Sequence, residues 1–102
     1  MRDYELTKDA EQDLREVANY TLRKWGKAKL HEYRGGLKDT FQAIGHHEIT
    51  PQSFSKNVPE LLVTKYKYHY IFYLSENYKK PVIIGVIHEK RDIVNRLTER
   101  FS

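Results

Sequence analysis

The chain contains no cysteine. That excludes a disulfide framework and a thiolate metal site, and it fits a reducing compartment. There is no long hydrophobic run either. The longest clean one, residues 82–87, is far too short to cross a bilayer, so no membrane partner is expected. The first residues carry Arg2, Asp3 and Glu5 rather than the apolar core of a signal peptide. Internal repeats, flexible linkers and low-complexity tracts are missing too. What remains is 102 residues, 39% of them hydrophobic, enough for one modest core and not for two. We therefore expect one domain over residues 1–102, soluble and cytoplasmic. The formal net charge of +4 permits contact with nucleic acid or with an acidic protein, but by itself selects neither.

Apolar periodicity supplies the elements. Tyr4 and Leu6 alternate with Asp3 and Glu5, as in a short strand. Thr7 suits a helix N-cap, and Asp9 and Glu11 suit the positive end of a helix dipole. Ala10, Leu14, Val17, Ala18, Thr21 and Trp25 then recur at helical spacing, which places Trp25 in the core at the end of a first helix. Gly26 closes that helix. Leu30, Tyr33, Leu37, Phe41 and Ile44 mark a second, ended by Gly45. Gly35 and Gly36 interrupt it, which implies a bend or a close approach of backbone. Residues 46–59 read as a loop.

From Leu61 the period becomes two. One strand is expected, with tyrosines packed against the helices and lysines facing water; the alternative is that the basic and aromatic residues interleaved from Lys65 to Tyr70 bind a single nucleic-acid strand. A polar turn over residues 75–80 leads to a buried strand over 81–88. Asp92 caps a last short helix with Ile93, Leu97 and Phe101 on its apolar side. The expected fold is α+β: an N-terminal helical hairpin on a twisted antiparallel sheet of three or four strands, with a short C-terminal helix.

Several local patterns occur together, correctly spaced. These are Leu6-Thr7 with Ala10, Asp13 and Leu14; Tyr20 ahead of Trp25-Gly26; Tyr33 and Leu37 ahead of Phe41; Ile71-Phe72-Tyr73; and Ile87-His88-Glu89 followed by Asp92 and Arg100. In this the chain resembles the ParE branch of the RelE/ParE toxins of bacterial toxin–antitoxin modules, over nearly its whole length. The resemblance implies a helical hairpin on an antiparallel sheet and a toxin held inactive by a cognate, ParD-like antitoxin. The target it implies is DNA gyrase, trapped in its cleaved-DNA state, with the gyrase-bound DNA a further possible contact. The RelE branch instead cuts mRNA on the ribosome, and that is the alternative reading. Neither activity calls for a cofactor.

The strand-end cluster keeps both readings open. Metal-free RNA cleavage needs a base, an acid and cations. His88, Glu89, Lys90 and Arg91 include every type, and with Lys65 and Lys67 adding cations the residues assigned to that reading are His88, Arg91, Lys65 and Lys67. The plainer reading has His88 ending a strand with a hydrogen bond. The HExxD spacing lacks the second histidine of a zinc helix, and His46-His47-Glu48 is expected to be solvated, so no metal site is assigned. Candidate target contacts are Arg23, Lys24, Lys27 and Lys29 at the hairpin tip, with Arg96 and Arg100 near the C-terminus. Candidate antitoxin contacts are Lys65, Lys67 and Tyr73.

Overall fold

A computed structural model describes residues 2–75 and 79–101. The middle of the turn expected at 75–80 lies outside those residues, as does the side chain of Phe101.

The N-terminal half follows its local signals. After β1 (Glu5–Leu6), Thr7 is extended and its hydroxyl accepts the Ala10 N–H at 3.1 Å, opening α1 (Lys8–Trp25). Gly26, at φ 89°, donates its N–H to the Leu22 carbonyl at 3.1 Å. That backbone conformation favours glycine, and it lets α2 (Lys27–Gly45) start one residue after α1 ends. The glycine pair does not break α2. A Cβ at Gly36 would collide with the Tyr66 hydroxyl, whereas one at Gly35 would meet open space. The close approach inferred for this pair therefore concerns one glycine and a side chain.

The sheet is wider than three or four strands. It has five, in the order β1-β5-β4-β3-β2, from β2 (Ser53–Ser55), β3 (Val58–Tyr66), β4 (His69–Leu74) and β5 (Val82–His88). All neighbours are antiparallel except β1 and β5, which run parallel through Glu5↔Val82 and Leu6↔Ile83. Two expectations fail here. The loop at 46–59 contains β2 and the start of β3. The single strand expected from Leu61 is a hairpin, with Tyr66 paired to His69 and Lys67 at φ 50° in the turn.

The turn resets the alternation. On β4, Ile71 and Tyr73 face the helical hairpin and join Ala10, Val17, Leu37, Phe41 and Ile44 in one core cluster. Phe72 faces the other way, into a second cluster with Leu61, Ile84, Ile87 and Leu97 of α3 (Ile93–Phe101). A bulge opposite Phe72 and Tyr73 inserts Ile84 into β5. That extra residue lets Ile83 and Val86 serve the first cluster while Ile84 and Ile87 serve the second. Both faces of the sheet are thus covered, one by two long helices and the other by α3.

Candidate functional site

The site is built where β5 runs out of partner strand. Thr7 donates its N–H to the Ile83 carbonyl at 3.1 Å, and there the pairing with β1 stops. Side chains take over the edge. The Val86 N–H donates to Asp13 Oδ2 at 2.9 Å, and Arg100 Nη1 donates to the Ile84 carbonyl at 3.0 Å. Asp13 and Arg100 also hold each other through two bonds of 2.8 Å, Nη1–Oδ2 and Nη2–Oδ1. Asp13 is only 4% exposed. Gly85 makes room, since a Cβ there would stand 2.5 Å from Arg100 Nη1. Burial opposes the guanidinium charge, but the hydrogen bond and field of Asp13 outweigh it, so the pKa of Arg100 lies above its ordinary value. Arg100 was expected as a surface contact; instead it clamps α3 to α1 and β5.

Past this clamp a cavity of about 210 Å³ opens between α1, the end of β5 and the start of α3. Tyr20, His69, His88, Arg91 and Arg96 line it, with Asp13 and Glu16 on the α1 wall. Glu16 stands 4.0 Å from Arg96. His88 Nδ1 accepts the Lys90 N–H at 3.1 Å, which assigns the proton of the neutral ring to Nε2. The expected strand-ending bond of His88 is therefore present, and Asp92 caps α3 by accepting the Asn95 N–H at 3.3 Å. His69 Nδ1 lies 2.5 Å from the Tyr33 hydroxyl. Burial, then the neighbouring His88, lowers the His69 pKa to about 4, so the ring is neutral at pH 7. Burial likewise pushes Tyr33 up to about 12. The two imidazoles meet edge to face at 5.0 Å, and the Tyr68 ring lies nearly parallel to His88, centroids 6.5 Å apart.

Of the four residues assigned to catalysis in the alternative reading, His88 and Arg91 line this cavity. Lys65 and Lys67 are held elsewhere. Lys65 Nζ bonds Glu89 Oε2 at 2.6 Å, which raises the lysine pKa and lowers that of the glutamate. Lys67 reaches Glu32 of α2 at 3.7 Å. The turn between β3 and β4 separates them. Tyr73, expected at an antitoxin contact, is 3% exposed and belongs to the core, where burial raises its pKa. His46 bonds Asp3 at 2.6 Å and stands 3.7 Å from Glu48.

At the hairpin tip Arg23, Lys24, Lys27 and Lys29 are all exposed. Trp25 is 60% exposed and not in the core. Its stripe is helical, but Thr21 is the last buried residue of α1, and residues 22–25 of the final turn are all exposed. A separate groove of about 610 Å³ runs along α1 and α2, with Leu14, Ala18, Leu30 and Phe41 on its walls and Arg15 and Lys38 also lining it.

Sequence reasoning gave Asp13 and Tyr20 no site role, and it noted Tyr68 and His69 only within the alternating run at 65–70, without placing them at this cavity. Asp13 had a signal, since it sits inside the stripe of Ala10, Leu14 and Val17 where only a paired charge is tolerated. Tyr20 carries no local mark, and Tyr68 and His69 come to the cavity only because the chain turns between β3 and β4.

Comparison with known proteins gives consistent matches. The family described as "ParE toxin of type II toxin-antitoxin system, parDE" matches residues 4–93. A curated Escherichia coli protein, Toxin ParE, is 31% identical over 102 residues, spanning 100% of this chain and 99% of its own. A solved structure titled "Chromosomal ParDE TA system from P. aeruginosa" superposes with a TM-score of 0.71, covering 86% of this chain and 96% of that one. At 13% identity that likeness concerns the fold.

Proposed function

The chain belongs to the ParE toxin family of type II toxin–antitoxin systems, and from that premise we propose that it inhibits DNA gyrase by binding and holding the cleaved-DNA complex. The observation that carries this reading is the full-length similarity to Toxin ParE. The arrangement of charge supports binding over chemistry. Lys65 and Lys67 are each engaged by a carboxylate, Glu89 and Glu32, and neither lines the cavity that holds His88 and Arg91. At the tip Lys29 is paired with Glu32 at 3.4 Å, whereas Arg23, Lys24 and Lys27 are exposed around an exposed tryptophan with no carboxylate partner among the described residues. In this reading Arg23, Lys24, Lys27 and Lys29 approach the target, with Arg96 a secondary contact. The protein acts in the cytoplasm, where gyrase works.

Membership of a toxin–antitoxin system implies an antitoxin partner. The antitoxin lays an amphipathic helix in the groove along α1 and α2, or adds a strand to the sheet. Arg15, Arg34 and Lys38 beside the groove favour acidic flanks on that helix. Lys65 and Lys67 contribute from the sheet surface.

The test is a supercoiling and cleavage assay with purified gyrase, ATP and plasmid, titrated with folded protein. Linear DNA released by detergent and protease is the expected result. Unchanged supercoiling and cleavage would sink the gyrase reading. Ribosome-dependent mRNA cleavage would then take its place, because His88, Arg91 and His69 share one cavity.

A further inference from the structure

Three aromatic rings stand far into solvent: Tyr20 at 50% exposed, Trp25 at 60% and Tyr68 at 60%. They are connected. Lys24 Nζ lies 5.5 Å from the ring centroids of both Tyr20 and Trp25. Tyr20 lines the cavity together with His88, and Tyr68 overlies His88. A continuous strip therefore runs from the β3–β4 turn, across the cavity mouth, to the hairpin tip. Adjoining exposed rings mark a recognition surface.

The charge along this strip is one-sided. Three carboxylates near the cavity are matched by cations, Asp13 by Arg100, Glu16 by Arg96 and Glu89 by Lys65, and Asp92 accepts from Asn95 as the cap of α3. Among the described residues the Arg91 guanidinium, at the mouth, has no carboxylate partner. His88 is held by its Nδ1 bond so that its other nitrogen carries a proton available for donation.

We infer that this strip binds single-stranded nucleic acid. Bases stack on Tyr68, Tyr20 and Trp25, and the phosphates between them meet His88 Nε2–H, Arg91 and Lys24. Rings alternating with donors match a strand in which bases alternate with phosphates. A duplex hides its base faces, and an acidic peptide would use the cations but leave the rings idle. The inference stands apart from the gyrase reading, because it is measured on free oligonucleotides.

The experiment titrates the full chain with thymidylate DNA and uridylate RNA oligomers of about eight nucleotides at ~50 mM salt. Two readouts are the anisotropy of a labelled oligomer and the emission of Trp25, the only tryptophan. We expect quenching and an anisotropy rise with at least one oligomer, and the tighter of the two identifies the source of the strand. Tyr68→Ala and Arg91→Gln should each weaken binding about five-fold or more. Lys56→Gln, an exposed change in the β2–β3 turn, should not. Both test residues are exposed, so an unchanged urea midpoint separates lost binding from lost fold. The inference is overturned if neither oligomer responds, if the two variants bind as well as the parent, or if duplex DNA competes equally. Failure with oligomers, while Tyr68→Ala still weakens capture of a purified protein partner, would assign the strip to that protein.

Discussion

Gly35 and Gly36 are neighbours in one helix, yet they answer to different physics. At Gly35 a methyl group has room, so Gly35→Ala should stabilise the protein by about 0.5–1 kcal/mol through helix propensity alone. At Gly36 the same methyl drives into the Tyr66 hydroxyl. The Tyr66 ring is held edge-on against Tyr33, centroids 5.2 Å apart, and has little freedom to retreat. Gly36→Ala should therefore destabilise by about 1–3 kcal/mol, and Tyr66→Phe in the same chain should recover part of the loss. Urea titration of the three variants reads both signs. His69 gives a second prediction at this scale. Its folded pKa is about 4 against an ordinary 6.5, and Tyr33, His88 and Glu89 are the titratable groups around it. Between those values the unfolded chain takes up a proton that the folded chain refuses, so stability is full above about 6.5 and is lost as pH falls toward 4. The loss is on the order of 1–2 kcal/mol after allowance for solvent screening. Denaturant midpoints at pH 7.5 and 4.5 should fall further for the parent than for His69→Gln; equal falls would dissociate His69 from the acid lability.

Three elements meet at a buried ionic contact. Asp13 of α1 and Arg100 of α3 hold each other, and between them they satisfy two backbone groups on the uncovered edge of β5. Removing one partner strands the other as a buried charge, which typically costs about 3–5 kcal/mol. Asp13→Ala should do that and also free α3, seen as new protease cleavage near residues 90–92. Because both residues act as one unit, Asp13→Ala with Arg100→Met should cost less than the two single losses added, by more than about 0.5 kcal/mol. Strict additivity would mean that the contact is incidental. This contact also shows where the sequence was legible and where it was not. The caps at Thr7 and Gly26 were readable because each is satisfied within four residues of itself. The helix stripes were readable up to Thr21, where the core ends and Trp25 passes into water. The β3–β4 turn was not, because Lys67 and Tyr68 carry none of the glycine or asparagine that usually marks a two-residue hairpin. That one missed turn changed the faces along the hairpin: Lys65 and Lys67 parted, Tyr73 went into the core and His69 came to the cavity. His88 and Arg91 were found together because they are three residues apart; His69 and Tyr20 were not, because only the tertiary fold brings them there.

For the molecule as a whole, the net charge of +4 matters less than where the positive charge stands. On the sheet and along the clamp most cations are matched: Lys65 by Glu89, Lys67 by Glu32, Arg100 by Asp13. At the hairpin tip Arg23 and Lys27 have no such match among the described residues, and Lys24 faces rings rather than a carboxylate. Charge placed this way leaves stability almost untouched and, on the proposed function, steers the approach toward gyrase on DNA. Arg23→Glu with Lys27→Glu should therefore leave the unfolding free energy within about 0.5 kcal/mol of the parent. Gyrase inhibition by the same variant should weaken about ten-fold or more at low ionic strength. That difference should shrink as salt approaches the concentration where the Debye length falls to about 8 Å. His88→Ala supplies the contrast: it removes a ring from the cavity, and on a binding mechanism it should spare most of the inhibition. The measurement is the protein concentration giving half-maximal cleavage complex for parent, tip variant and His88→Ala across a salt series. A tip variant as potent as the parent would move the target-facing surface away from the hairpin. Inhibition abolished by His88→Ala in a folded protein would move the activity into the cavity.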